Sequence, residues 1–206
     1  MMNSFIGCRK LDDSAKETIT MKRILIIGNA GAGKTTFANK LALKMKLALV
    51  HLDKIYWCDN WQHLSREEFD CLLQKELEKP EWIIDGNFNR TISHRMKYCD
   101  TIFYFDFHVI RCLWGITKRI IVNYGKTRDD MGGMCIERFD TNKIALYRNV
   151  LRFNREHRKN YYDLLTKSDN IEVVIFKNRK HVRKYLKDIG CSVESTLDKT
   201  GDNYGH

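Results

Sequence analysis

Five short apolar runs are spaced along the chain, with helical patterns between them. RILIIG (23–28), ALVHLD (48–53), EWIID (81–85), TIFYFD (101–106) and IEVVIF (171–176) are nearly continuous in hydrophobicity, as strands buried on both faces are. Residues 33 to about 45, then 65–79, 108–122, about 140–166 and 178–188 repeat their apolar positions at helical spacing. In SREEFDCLLQKELEK (65–79), Ser65 and Glu68 form a capping box, and Pro80, the only proline, ends the helix. Strands alternating with helices predict βαβ units and a parallel sheet, an α/β domain over about 21–190. NYGKTRDDMGGMCIERFD (123–140) interrupts the alternation with Gly, Asp and Arg, and a polar insertion of that length reads as a lid. Residues 1–20 read as a polar extension, with Met21 as an alternative start, and 191–206 as a frayed, flexible tail.

Composition narrows the class. The chain has 206 residues, is 43% hydrophobic and carries a formal charge of +10, enough apolar content for a sizeable core. Residues 107–160 hold eight arginines and four lysines against five acids, which implies a polyanionic partner: nucleotide phosphates, nucleic acid or an acidic surface. The seven cysteines include no Cys-x-x-Cys pair, and the histidines show no metal-ligand spacing, so reduced thiols in a cytoplasmic protein are the plain reading. No run approaches the length that spans a bilayer, and the first twenty residues lack a signal-peptide core. The expectation is a soluble monomer or dimer without a membrane partner.

The chemistry is concentrated where the first strand ends. GNAGAGKTTF (28–37) satisfies the phosphate-loop pattern G-x-x-x-x-G-K-[ST] and lies between an apolar strand and a helix, the context its mechanism needs. Gly28, Asn29, Ala30, Gly31, Ala32, Gly33, Lys34, Thr35 and Thr36 are the candidate nucleotide-binding residues. Curled backbone amides and a helix N-terminus attract phosphate oxygens, Lys34 reaches the β- and γ-phosphates, and Thr35 ligates magnesium. The next three strands end in acids. Asp85 follows three apolar residues, as does the acid that holds the metal through water, and Gly86 stands where ATP-hydrolysing motors often place a glutamate. Asp53 is placed either to orient or deprotonate an acceptor hydroxyl or to cap a helix, and Asp106 either to act at the site or to hold a turn. Asn87, Phe88 and Asn89 form a polar strand-end loop suited to an acceptor. Tyr56, Trp57 and Trp61 either stack on an acceptor ring or pack in the core, the latter being the default. Ala145, just after TNKI (141–144), stands where guanine recognition would require an acid, which argues against a GTPase. Arg119, Arg128 and Arg138 flank or lie within the insert, and Arg152, Arg155 and Arg158 share part of one helical face. Guanidinium forks suit the charge that spreads over a transferring phosphoryl group.

GNAGAGKTTFANKLA, HLDKIYW, WIIDGN, DTIFYFDF, GKTRDDMGGMCIERFD and FNREHR together resemble the small P-loop proteins described as DNA topology modulation proteins, which are similar in architecture to adenylate and shikimate kinases. The resemblance covers roughly residues 21–188. It implies a three-layer P-loop NTPase fold of nucleotide-kinase type, with a five-stranded parallel sheet and a mobile lid. It also implies ATP and magnesium on the loop, and an acceptor pocket near Asp53, Asp85 and Asn87. Carried onto this chain, it makes Arg128 and Arg138 the lid arginines and Arg119 the lid's base. Arg95 becomes the arginine shortly after the third strand, with Arg90 as a rival. Two departures are Phe107-His108 where such kinases often have a proline, and a lid without prolines beside Arg128 and Cys135. The expected activity is phosphoryl transfer from ATP to an unidentified small acceptor, with Lys34, Asp53, Arg119, Arg128 and Arg138 catalytic and Asp53, Asp85, Asn87, Arg95 and Arg155 binding the acceptor. The alternative is an ATP-regulated protein that binds nucleic acid through the basic region.

Overall fold

Ile24 and Ile26 point to one side of the first strand and Leu25 and Ile27 to the other, so the strand requires apolar cover on both faces. The computed structural model, which describes residues 21–138, 141–168 and 170–191, supplies it. β1 (Arg23–Gly28) is the middle strand of a five-stranded sheet with β2 (Leu49–His51), β3 (Trp82–Asp85), β4 (Thr101–Phe105) and β5 (Glu172–Phe176), in the order β2-β3-β1-β4-β5. Every neighbouring pair is parallel, and Ile26 lies between Asp85 and Phe103 in register. The α/β class and the parallel sheet are thus as expected. The expected extension at 1–20 and, past Cys191, the expected tail lie outside the described residues.

Eight α-helices are present among the described residues. α1 (Lys34–Met45) follows β1 and buries Phe37, Ala38 and Leu41 on the Ile24–Ile26 face. α5 (Val109–Val122) and α8 (Arg179–Asp188) add Cys112, Ile116, Ile120 and Leu186 to that layer. The other face takes α3 (Arg66–Leu77), α4 (Ile92–Met96) and α7 (Arg158–Thr166) through Phe69, Leu73, Ile92, Tyr161 and Leu165. β1 therefore passes the chain to one face and its neighbour β3 passes it to the other. The loops after these two strands diverge and leave a crevice between them, where ligands bind in open α/β sheets.

Two boundaries differ from the pattern-based reading. The second strand stops at His51, because residues from Leu52 turn at once into α2 (Leu52–Tyr56), which buries Leu52. The helix expected over 140–166 is two, α6 (Thr141–Glu156) and α7, broken at His157. Val150 of α6 belongs to the α1-side core, Phe153 of the same helix belongs to the opposite one, and Tyr161 and Leu165 of α7 join Phe153 there.

The insert between α5 and α6 is not a free polar loop. Its two arms meet where the Gly125 amide donates to the Glu137 carbonyl and the Glu137 amide to the Lys126 carbonyl, at 2.9 and 3.0 Å. Its tip seats on the segment after α2: the Met134 amide donates to Asp59 Oδ1 at 2.7 Å, and Trp61 Nε1 to the Ile136 carbonyl at 3.2 Å. The backbones close so tightly there that a Cβ on Gly132 would lie 1.9 Å from the Trp57 carbonyl oxygen.

Phe37 locks α1 to the sheet, its ring 5.0, 5.4 and 5.4 Å from those of Phe103, Phe105 and Phe176 in edge-to-face arrangements. Phe37→Ala should lose about 3–5 kcal/mol of unfolding free energy in urea titration; a loss below about 1 kcal/mol would mean that the layer repacks without it.

Candidate functional site

Helix α1 begins without a conventional cap. Its N-cap is Gly33, at φ 94°, with no side-chain cap and no acid in the first turn. The amides of the first turn have no acceptor within the helix, and the partial positive charge of the helix end is left uncompensated. Gly31 and Gly115 bring the loop and α5 into backbone contact: a Cβ on Gly115 would sit 2.0 Å from the Gly31 carbonyl oxygen. Lys34 Nζ donates to the Asn29 carbonyl at 3.1 Å, and Asn29 Nδ2 donates to the Val150 carbonyl at 3.0 Å, which ties the loop to α6. The Gly28 amide donates to Asn87 Oδ1 at 2.8 Å, joining this loop to the one after β3. Ala30 and Ala32 serve as loop backbone, and Thr36 is exposed on the first turn of α1.

Asp85 ends β3 and is 5% exposed. Its Oδ2 accepts the Thr35 hydroxyl at 2.8 Å and lies 3.3 Å from His51 Nδ1, while its buried Oδ1 has no partner. An orphaned carboxylate oxygen beside a hydroxyl is the kind of group a bound cation satisfies. No group of three His, Cys, Asp or Glu side chains able to hold a metal exists among the described residues. Two oxygens fit magnesium, which keeps waters and takes phosphate oxygens, better than a metal that needs an all-protein cage.

Asp53 lies in the first turn of α2, with His51 as N-cap, so it is not the capping residue that the sequence allowed it to be. Burial, reinforced by the Asp85 carboxylate, pushes its carboxyl above the usual range, against the pull of Arg128, Lys34 and Arg119. Burial also draws the Lys34 ammonium below its ordinary value, opposed by Asp85 and Asp53. Lys34, Asp53, Asp85, Arg119 and Arg128 thus sense one another and form one charged cluster.

The remaining arginines divide sharply. Arg119 stands one turn after Gly115, half-buried, and its Nε has no partner. Burial and then the charge of Arg128 lower its affinity for its proton. Arg128 grips Asp130 through Nε at 2.9 Å and through Nη2, and reaches Glu137 at 3.2 Å through Nη1. Glu137 is fully buried and also holds Lys143. Arg138 is exposed, and so is Arg155, 80% accessible and within 3.9 Å of Glu156 only. Arg95 is completely buried, with its guanidinium on the Gly86, Asn87 and Phe88 carbonyls and the Thr91 hydroxyl. It supports the strand-end loop from beneath and does not face the crevice with free donors. Arg90 pairs with Asp70 on the surface. Asp106 proves structural, held by Arg158, Lys177 and the Tyr162 hydroxyl. Tyr56 stacks on His63 and packs against the core, whereas Trp57 meets Trp61 at the half-buried segment after α2, outside both core clusters.

A cleft of about 360 Å³ opens at the crevice between the two loops, walled by Asn29, Ala30, Asn87, Phe88 and Asn149. A larger hollow of about 500 Å³ lies on the outer side of α1 among Ala42, Leu43 and Leu47 and gathers no convergent polar groups. His51, Asp130 and Glu137 are site residues that the motif reading passed over. Their only signals were the alternation of HLD and two acids inside a basic insert.

Two outcomes test this geometry. Gly to Ala within a helix ordinarily stabilises by about 1 kcal/mol, but Gly115→Ala should cost about 1–3 kcal/mol in urea titration because its methyl meets backbone. Asp53 binds its proton more tightly folded than unfolded, so its contribution to stability is present below the ordinary carboxylate range and is lost as pH rises through the raised value. Asp53→Asn should therefore gain thermal stability over wild type on going from about pH 4 to about pH 8; a difference constant with pH would assign the effect elsewhere. Among known proteins, no protein-family model and no curated protein matches this chain.

Proposed function

We propose that the protein is a magnesium-dependent P-loop phosphotransferase that moves the γ-phosphoryl group of ATP to a small acceptor enclosed under the 123–140 insert. One observation carries this reading. The Thr35 hydroxyl and the half-satisfied Asp85 carboxylate meet beside an uncapped, glycine-initiated helix N-terminus. That combination suits a triphosphate with its metal and has no evident structural purpose otherwise.

In this reading Thr35 and Asp85 hold magnesium, which when bound neutralises charge on the β- and γ-phosphates. The loop amides from Gly28 to Thr36 cradle the triphosphate, and Lys34 leaves the Asn29 carbonyl for its oxygens. Asp53, with its raised proton affinity, takes the proton of the acceptor hydroxyl as that oxygen bonds to the γ-phosphorus. The bond from the γ-phosphorus to the bridging oxygen breaks, and ADP leaves with its electron pair. Arg119, with its unpartnered Nε, answers the charge that spreads during transfer, and Arg128, paired with Asp130 and Glu137, acts only at longer range. Phosphoryl transfer asks a protein chiefly for this positioning and charge.

The nucleic-acid alternative draws on Arg152 and Arg155 of α6, 59% and 80% exposed. It predicts duplex binding that weakens steeply with salt.

Lys34→Ala should lower ATP turnover by about 10³-fold or more, and Arg119→Ala by at least about 10²-fold, in an assay of ADP formation with a panel of acceptors. Undiminished turnover in Lys34→Ala would end the reading.

A further inference from the structure

Three features of the acceptor side concern its charge. The first is that the cations near it are already engaged within the protein. Arg95 spends its guanidinium on three carbonyls and a hydroxyl. Arg128 is held by Asp130 and Glu137, and Lys143 by Glu137. Arg90 turns outward to Asp70. Arg119, which keeps an unpartnered Nε, stands a turn from the Gly115–Gly31 contact and so on the nucleotide side.

The second feature is the cleft wall. No lysine or arginine is among the described residues that line it, and the charged side chain on it is Glu156. The other polar side chains of the wall are the amides of Asn29, Asn87, Asn89 and Asn149 and the imidazole of His157. Asn87 accepts the Gly28 amide through Oδ1 and Asn89 accepts the Tyr161 hydroxyl through Oδ1, so each retains its NH₂ group as a donor. Asn149 and the ring of Phe88 complete that wall.

The third is that Asp53 lies close enough to Asp85 to feel its charge at the same end of the sheet, while Arg128, the first cation to offset Asp53, is already paired with Asp130 and Glu137. A phosphate monoester brings about −1.5 to −2 charges and on the cleft wall would meet the Glu156 carboxylate, with no arginine or lysine among the described lining residues. An uncharged hydroxyl compound meets amides that both donate and accept, and an aromatic face for a ring.

We propose that the acceptor is an uncharged, polyhydroxylated ring compound of the sugar or nucleoside class and that phosphate monoesters are excluded by the internal pairing of Arg95 and Arg128. This rests on the phosphotransferase reading and adds the substrate class. Transfer moves the γ-phosphoryl group onto a hydroxyl oxygen, releases ADP and leaves the hydroxyl proton on Asp53.

The test is calorimetric binding of adenosine and of AMP to the full-length protein loaded with magnesium and a non-hydrolysable ATP analogue, followed by transfer assays on free sugars, nucleosides and their monophosphates. The expected result is a kcat/KM at least about 100-fold higher for a neutral acceptor than for its own monophosphate. Asp130→Asn, which removes one of the two carboxylates that hold Arg128 and leaves Glu137, should raise AMP affinity by about 10-fold or more. Asp53→Asn, should Asp130→Asn fail to fold, should raise it in the same direction by relieving repulsion. AMP binding to the wild type as tightly as adenosine, transfer favouring a monophosphate, or no gain of AMP affinity in the folded variants would overturn the inference while leaving the phosphotransferase reading intact. Failure to bind the nucleotide analogue would instead remove that reading itself.

Discussion

The hydrogen bond from Thr35 to Asp85 joins the start of α1 to the end of β3, and the site depends on it. It holds a hydroxyl and a buried carboxylate at the one place where adjacent parallel strands send their chains to opposite faces of the sheet. The carboxylate keeps one oxygen unsatisfied, a cost that a protein carries where a ligand will repay it. Asn87 secures the arrangement from a second direction, because it accepts the Gly28 amide and so fixes the two loops to each other.

Around this point the polypeptide is packed to leave no slack. Gly31 touches α5 at Gly115, and Gly132 touches the segment after α2, in both cases backbone against backbone. Arg119 and Arg128 are thereby presented from α5 and from the insert on rigid supports. A charged cluster so confined interacts strongly, which is why Lys34 and Asp53 are both driven toward their neutral forms. The same low-dielectric surroundings strengthen any interaction with a bound phosphate.

The basic character of residues 107–160 turns out to have several meanings. Arg158 is structural through Asp106, Arg128 is neutralised through Asp130 and Glu137, and Arg152 and Arg155 face solvent. Arg119 combines an electrostatic influence on Lys34 of the loop with a buried, unpartnered donor. Net charge counted along the chain therefore overstates how much positive potential reaches the crevice, since Arg128 and Arg158 brought carboxylates with them.

Hydrophobic periodicity and the alternation of elements determined the five strands, their parallel arrangement and four helices (α1, α3, α5 and α8), because buried strands must be apolar on both faces and covering helices on one. The glycine loop with Lys34 and Thr35, and the acids at the strand ends, were legible for the same reason: their chemistry is local, written within a few neighbouring residues. The partners of the arginines were not. Arg95 reads as a ligand until the fold turns it under its own loop. Arg128 reads as free until Glu137, nine positions away, folds back against it. The split of α6 from α7, the docking of the insert on Asp59 and Trp61 and the placing of Asp53 inside α2 were likewise absent from the local pattern. Pairing between distant segments is settled by packing, and only the assembled tertiary structure decides which charges remain unspent.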